Sequence, residues 1–185
     1  MPLAPVRPGS IQEHRRGEYL VSTDPARLDL DMVHEFLTNC YWSKGIPREV
    51  VARSIEHSLC FGIYDYSQQK SPRLAKEARH GAPTSDSPAQ VGFGRVVSDF
   101  ATVAYLGDVF VLESYRGRGL SKWMMECMMQ HPSLQNLRRW ILLTRDARGL
   151  YGQFGFTAIA APDRYMELHR PDVYEMKYTK SGKTT

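Results

Sequence analysis

The fold is decided by the stretch Asp108-Val109-Phe110-Val111-Leu112-Glu113-Ser114-Tyr115-Arg116-Gly117-Arg118-Gly119-Leu120-Ser121, which runs on into Lys122-Trp123-Met124-Met125-Glu126. The apolar, β-branched run from Val109 to Leu112 is typical of a buried strand. From Leu120 the apolar residues recur with a helical period, at positions 120, 123, 124, 127 and 128. His131 precedes a proline and ends the predicted helix. The stretch therefore predicts a strand, a tight basic turn and a helix.

The turn itself has two interpretations. A helix N-terminus offers unpaired N–H groups and a favourable dipole, and glycine lets a ligand approach the main chain, so Arg116 to Gly119 suits an anion such as a pyrophosphate. The spacing fits neither the phosphate loop of nucleotide triphosphatases nor the dinucleotide fingerprint, because Lys122 occupies the third glycine position of the latter. The other interpretation is a surface turn with solvated arginines.

The stretch resembles motif A of the GCN5-related N-acetyltransferase (GNAT) superfamily, with the pattern Gln/Arg-x-x-Gly-x-Gly/Ala. Arg116 and Gly119 match this pattern, and Ser121 replaces its final small residue. A second block, Trp140 to Thr144 followed by Leu150-Tyr151 and Gly155-Phe156, resembles the next strand and helix of the family. The two blocks in this order and separation are more specific than either alone.

The resemblance extends clearly from about Gln90 to Phe156 and plausibly from Glu18 onward. It is strongest to a group of small single-domain acetyltransferases with Tyr-Trp-x-x-Gly-Ile-Pro near the start, here Tyr41 to Pro47. The implied fold is α/β (α+β) in three layers. Its central sheet is mostly antiparallel, with helices on both faces, and is splayed between the fourth and fifth strands. The acyl-pantetheine arm of the cofactor lies in that opening.

The resemblance implies one acetyltransferase domain, which we expect over residues 18–178. Residues 1–17 are expected to be flexible, and residues 179–185 to be a polar tail. Residues 67–89 contain three prolines and few large apolar residues, which predicts a flexible insert. Short strands are expected at Tyr19 to Ser22, at Phe156 to Ile159 and at Met166 to Leu168.

Composition excludes several classes of protein. The 185 residues are 42% hydrophobic and 24% charged, as in an ordinary globular protein. The net charge of +4 is too small and too evenly spread to indicate nucleic-acid binding. Three cysteines without a CxxC pattern favour a reducing compartment, and six histidines lack ligand spacing, so no metal is expected. Residues 1–17 lack the apolar core typical of a signal peptide, and no apolar run reaches membrane-spanning length, so we expect a cytoplasmic protein and no membrane partner.

The resemblance also implies which residues bind the coenzyme. The main chain of Val109, Phe110 and Val111 is expected to bind the pantetheine amides of acetyl-CoA. The pyrophosphate is expected at Arg116, Gly117, Arg118, Gly119, Leu120 and Ser121. For the three strand residues, plain core packing is an alternative that is compatible with a main-chain role.

Three further positions are candidates for chemistry. Tyr151 stands where many family members place the acid that protonates the departing thiolate, and the alternative is that it only packs at the edge of the core. Tyr41 and Trp42 are expected on a loop that lines the acceptor pocket, or else as anchors of that loop. Asp108 could contact the acceptor or act as a base, although an aspartate here is more often a capping or ion-pairing residue.

These expectations define an acyl-CoA-dependent N-acetyltransferase that uses acetyl-CoA as cosubstrate. The amine would attack the thioester directly in a ternary complex. The alternative is a non-catalytic module that binds or senses acyl-CoA. Nucleic-acid binding through Arg116, Arg118, Arg138 and Arg139 is a third hypothesis, and it predicts a steep salt dependence. The partner is expected to be a small-molecule or peptide amine whose identity the sequence leaves open, and the protein a monomer or homodimer.

Overall fold

The structure, a computed structural model, describes residues 10–67 and 88–174. Within these residues the contacts divide the chain into two compact units. Unit 1 comprises residues 10–29, 57–67 and 88–143, and unit 2 comprises residues 30–56 and 144–174. The single acetyltransferase domain over residues 18–178 stays a prediction. The predicted insert lies almost entirely, and the predicted polar tail wholly, outside the described residues.

Unit 1 is built on a six-stranded sheet whose strands lie in chain order. The strands are β1 (Glu13–Arg16), β2 (Tyr19–Ser22), β3 (Leu59–Asp65), β4 (Ala89–Ser98), β5 (Val103–Val111) and β6 (Arg139–Leu142). The first four pairings are antiparallel and the last, between β5 and β6, is parallel. The predicted α/β class with a mostly antiparallel sheet is confirmed.

The predicted opening of the sheet is present, and the fourth and fifth strands of the prediction are β5 and β6 because β1 was not predicted. Their pairing runs only from Val103 opposite Arg139 to Leu106 opposite Leu142, whereas β5 continues to Val111. The register of β4 against β5 shifts between Phe93 and Arg95, which marks a β-bulge. The far half of β5 therefore leaves its β6-facing edge without a strand partner among the described residues.

Helix α1 (Leu120–Gln130) covers the sheet of unit 1 and contacts β3 and β5. The apolar face predicted from the sequence is confirmed, because Leu120, Trp123, Met124, Cys127 and Met128 are all buried. Gly94 on β4 permits this close packing, since a Cβ added there would lie 2.6 Å from the Met128 Cε. The helix ends before His131, whose Nδ1 accepts a hydrogen bond from the Ser133 N–H at 3.2 Å.

Unit 2 contains three helices, α2 (Leu30–Asn39), α3 (Arg48–Glu56) and α4 (Arg148–Gly152), where α2 and α3 pack together. Pro47 starts the first turn of α3, since its carbonyl accepts the Val50 N–H at 3.0 Å. A hydrogen bond of 3.1 Å between the His34 Nε2 and the Ile46 carbonyl ties α2 to the loop between the two helices.

Two expectations about the ends of the chain are corrected. Residues 1–17 were expected to be flexible, yet Glu13–Arg16 forms strand β1. Gly17 makes the hairpin turn to β2 at φ +58°, and the Arg16 guanidinium lies 4.8 Å from the Trp123 ring centroid. The strand is mostly exposed and polar, so it carries no apolar alternation for sequence reasoning to detect.

The strands expected at Phe156 to Ile159 and at Met166 to Leu168 are absent from the described residues. Both segments have non-helical backbone but no ladder partner, and Met166 and Leu168 are 98% and 82% exposed. Apolar alternation favours an extended conformation, but only a neighbouring strand turns that conformation into a sheet.

Candidate functional site

The turn before α1 has the backbone geometry of an anion site. Gly117 and Gly119 adopt φ +76° and +75°, a region that favours glycine. Gly119 is the N-cap of α1 and makes no side-chain cap, and the first turn of α1 contains no acidic residue. The N–H groups of residues 120–122 thus have no partner within the helix. A Cβ added at either glycine would meet no described atom within 4 Å, so the space in front of the turn is open.

The side chain of Arg118 is used to hold this turn in place. Its Nη1 donates to the Tyr19 hydroxyl at 2.6 Å and its Nη2 donates to the Ser114 carbonyl at 3.1 Å. Its guanidinium also lies 4.9 Å from the Tyr115 ring centroid. Arg116 and Lys122 are exposed, so positive charge remains beside the helix N-terminus.

The open edge of β5 presents main-chain polar groups. Gly92 lies opposite Val111, and Leu112 donates its N–H to the Val91 carbonyl at 2.9 Å. Val111 and Gly92 therefore form a non-hydrogen-bonded pair, in which the N–H and C=O groups of Val111 point away from β4. Because these directions alternate along a strand, the N–H and C=O groups of Val109 also point away from β4. The Val111 carbonyl accepts a long hydrogen bond of 3.4 Å from the Arg116 Nε. Phe110 is buried and packs 6.0 Å from the Phe93 ring centroid, so its side chain belongs to the core.

Asp108 lies at the start of this open edge and is held by an ion pair. Its Oδ2 lies 2.5 Å from the Arg95 Nε, and the two side chains are only 12% and 20% exposed. Arg95 Nη1 also donates to the Ser58 Oγ at 3.3 Å. Asp108 adopts φ +53°, which is unusual for a residue other than glycine. The pair joins β4 to the bulge of β5, which contains the extra residue and lies just beyond the point where β5 loses its β6 partner.

In unit 2, Tyr41 and Trp42 lie on the loop after α2, as the sequence predicted, and are 49% and 43% exposed. Their rings meet edge to face with centroids 4.9 Å apart. The guanidinium carbon of Arg145 lies 3.7 Å from the Tyr41 ring centroid, a cation–π contact. Sequence reasoning missed Arg145, because the contact joins two loops about a hundred residues apart in the chain and has no local signal.

Tyr151 lies on α4 in the same unit and is 8% exposed. Its ring packs edge to face on Phe156, with centroids 6.0 Å apart. Burial raises the pKa of Tyr151 to about 12, and Tyr41 and Asp146 add to that rise. The phenol is therefore protonated at neutral pH. Tyr151 is the buried residue of its helix, so its ring packs in the core of unit 2 whether or not it acts as an acid.

The start of α4 is not capped by the aspartate that precedes it. The cap position is Ala147, whose N–H donates to the Thr144 Oγ1 at 3.0 Å. Asp146 is exposed, and its carboxylate contributes to the raised pKa of the Tyr151 phenol.

The predicted site residues fall into two groups. Unit 1 holds Asp108, Val109, Phe110, Val111 and the turn from Arg116 to Ser121, and unit 2 holds Tyr41, Trp42 and Tyr151. In the part of the chain that the structure describes, no cluster of three His, Cys, Asp or Glu residues could hold a metal ion. The described helices also include none long and apolar enough to span a membrane.

Comparison with known proteins identifies the family. Residues 85–158 match the model of the acetyltransferase (GNAT) domain. A candidate acetyltransferase of Gibberella zeae is 33% identical over 151 residues, which cover 77% of this chain and 80% of that protein. The chain belongs to the GNAT acetyltransferase family.

Solved structures agree with this assignment. A GNAT-family candidate acetyltransferase from Xanthomonas campestris pv. campestris is 44% identical, with a TM-score of 0.71 over 84% of this chain and 96% of that one. A predicted acetyltransferase from Clostridium acetobutylicum, crystallised with acetyl-CoA, shares the fold at 14% identity, with a TM-score of 0.51 over 82% of this chain and 94% of that one.

Proposed function

We propose that this protein is an N-acetyltransferase that transfers the acetyl group of acetyl-CoA to a primary amine by direct attack in a ternary complex. Membership of the acetyltransferase family supports acetyl transfer. The observation that carries the finer proposal is the conformation of the turn before α1. Two glycines at positive φ lead into a helix N-terminus that has no side-chain cap and no acid in its first turn.

The residues of unit 1 fit acetyl-CoA. A pyrophosphate needs several N–H donors and no obstructing side chain, and the turn from Arg116 to Ser121 provides both. Amide groups need a strand edge without a partner strand. Val109 and Val111 present outward main-chain groups there, of which the Val111 carbonyl also accepts the long hydrogen bond from Arg116. A protein of the same fold from Clostridium acetobutylicum was crystallised with acetyl-CoA, which adds support.

In this proposal bound acetyl-CoA supplies an acetyl thioester, whose C–S bond breaks as the amine forms an N–C bond. The neutral amine gives up one proton to solvent. Tyr151 donates its phenolic proton to the sulfur and then takes a proton from solvent. Because burial raises the pKa of Tyr151 to about 12, the phenol is protonated across the physiological range. Tyr41 and Trp42 are assigned to acceptor binding.

A thiol-release assay with acetyl-CoA over a panel of amines tests the proposal, with a thermal melt to follow binding. Turnover that depends on an amine, together with a rise in melting temperature, is the expected result. A raised melting temperature without thiol release from any amine would make the protein an acyl-CoA-binding module. An unchanged melting temperature at saturating acetyl-CoA would contradict the cofactor assignment as well.

A further inference from the structure

Arg145 is an exposed cation fixed on an aromatic ring. Its guanidinium carbon is 3.7 Å from the Tyr41 ring centroid, so the two planar groups are in direct contact. Among the described residues it forms no ion pair with a carboxylate. The arginines at positions 16, 27, 48 and 95 do pair with acidic side chains.

The contact with the ring matters for what Arg145 can bind. A guanidinium that lies over a ring keeps N–H donors at its rim, arranged as a fork that matches a carboxylate or a phosphate. Contact with Tyr41 also restricts the arginine, so less conformational entropy is lost when a ligand binds. An ammonium group would instead be repelled by Arg145 and find this face of Tyr41 occupied.

A negative charge lies beside this group of residues. Asp146 follows Arg145 in the chain, is exposed, and acts electrostatically on the Tyr151 phenol, as Tyr41 also does. The group thus places a cation on Tyr41 and an anion near Tyr151. An acceptor with two opposite charges would satisfy both, its ammonium near Asp146 and its anionic group at Arg145.

We propose that the surface formed by Tyr41, Arg145, Asp146 and Tyr151 recognises an acceptor amine that also carries an anionic group, a carboxylate or a phosphate, bound by the Arg145 guanidinium. The proposal rests on the proposed function, because only an acetyltransferase has an acceptor. The predicted binding of the anionic amine can nevertheless be measured without turnover. It disfavours polyamines and other purely cationic acceptors.

The test uses matched pairs of amines that differ only in the anionic group. L-phenylalanine, L-methionine and L-lysine are each compared with their carboxamides, and O-phosphoethanolamine with ethanolamine. Binding to the full chain is measured by calorimetry and by tryptophan fluorescence, to which Trp42, whose ring contacts Tyr41, contributes. Turnover is measured in parallel by thiol release. The variants are Arg145→Ala, Arg145→Lys and, as a matched control, Arg148→Ala, which removes another exposed arginine of the same segment.

We expect at least one anionic amine to bind more tightly than the matched amine that lacks the anionic group. Arg145→Ala should weaken that binding by about 10- to 100-fold, the range for a charge-assisted hydrogen bond. Arg145→Lys should restore part of it. Arg148→Ala should change the binding little, and Arg145→Ala should change little the binding of amines that lack the anionic group. The carboxylate and phosphate pairs decide which anion is preferred.

The proposal is overturned if no anionic amine binds better than its match. It is also overturned if Arg145→Ala weakens both members of a pair equally, since Arg145 would then only hold the loop of Tyr41. Thiol release is scored separately. If Arg145 discriminates between the paired amines but no acetyl transfer occurs, the proposed function is contradicted and the binding proposal stands. If turnover depends on an amine but Arg145 does not discriminate, the proposed function stands and the binding proposal is contradicted.

Discussion

The turn before α1 in unit 1 and the group around Tyr41 in unit 2 are candidate binding surfaces of opposite kinds. The turn offers main-chain N–H groups and open space, and its Arg118 side chain is committed to Tyr19 and Tyr115. The unit 2 surface consists of side chains, with Arg145 over Tyr41 and Tyr151 nearby. A cofactor common to a family can be bound by backbone, which tolerates sequence change, whereas an acceptor particular to one enzyme needs specific side chains.

The largest effect is expected for Tyr151→Phe. The change keeps the buried ring and its contact with Phe156 but removes the proton. A general acid typically contributes about 10²–10⁴-fold, so kcat should fall by roughly that factor, with little change in the affinity for acetyl-CoA. Steady-state kinetics and thermal melts measure both. If kcat stays within about threefold, far less than a general acid supplies, the side-chain chemistry assigned to unit 2 is wrong.

The next effect concerns the backbone of the turn. Gly119→Val puts a branched side chain into the open space at a positive φ, and should remove acetyl-CoA binding. Ligand at 100 times its Kd stabilises a fold by about 2.7 kcal/mol, and this gain should disappear. Gly17→Val is the matched control, because Gly17 also has a positive φ with open space around it, in the β1–β2 hairpin. Both variants should lose stability, but only Gly17→Val should still respond to acetyl-CoA. Equal responses would show that the turn does not bind the coenzyme.

The third prediction is that the open edge of β5 depends on the ion pair between Arg95 and Asp108. Asp108→Asn leaves the mostly buried Arg95 guanidinium without a formal counter-charge. We expect a loss of about 1.5–3 kcal/mol in the free energy of unfolding, as for hydrogen bonds to charged groups. The KM for acetyl-CoA should rise, because the main chain of β5 at the open edge would no longer be held in position by the ion pair.

Asp31→Asn is the control for this change, because it breaks a pair of similar length, 2.7 Å between Arg48 and Asp31, that is 53% and 79% exposed. Its effect should stay within about 1 kcal/mol. Chemical denaturation gives both values. A KM unchanged by Asp108→Asn would show that the pair supports stability and not the edge.

The smallest effect is a pH dependence of the free energy of unfolding, to which a histidine of unit 1 should contribute and the Tyr151 phenol of unit 2 should not. Burial lowers the pKa of His131 at the end of α1, with a further contribution from His14. The unfolded chain therefore binds a proton at a higher pH than the folded chain. The free energy of unfolding should fall as the pH falls through the ordinary histidine value of about 6.5.

His131→Asn should flatten this acid dependence, since asparagine can still accept the Ser133 N–H. His57→Asn, at an exposed histidine, should not alter it. The Tyr151 phenol, with its pKa raised by burial to about 12, should contribute nothing between pH 5 and 8. Urea denaturation at several pH values measures these slopes, and an unchanged slope in His131→Asn would exclude His131 as the source.

Sequence reasoning succeeded where the signal was local. The helical period from Leu120 to Met128 gave α1 and its buried face, and alternating glycines gave the turn before it. Sequence reasoning assigned the wrong secondary structure to two other segments. Met166 to Leu168 alternates like a strand but has no ladder partner among the described residues, and Glu13 to Arg16 has no apolar pattern yet pairs with β2.

The amino-acid sequence was sufficient to predict the class of protein, the α/β sheet and the segment expected to bind a coenzyme. Those features depend on residue type and spacing over a few neighbouring positions. The partners of three arginines are visible only in the folded chain, where Arg95 pairs with Asp108, Arg118 donates to Tyr19 and Arg145 lies on Tyr41. The shortest of these separations along the chain is 13 residues. The choice of partner for a long charged side chain depends on which surfaces folding brings within a few ångströms of it.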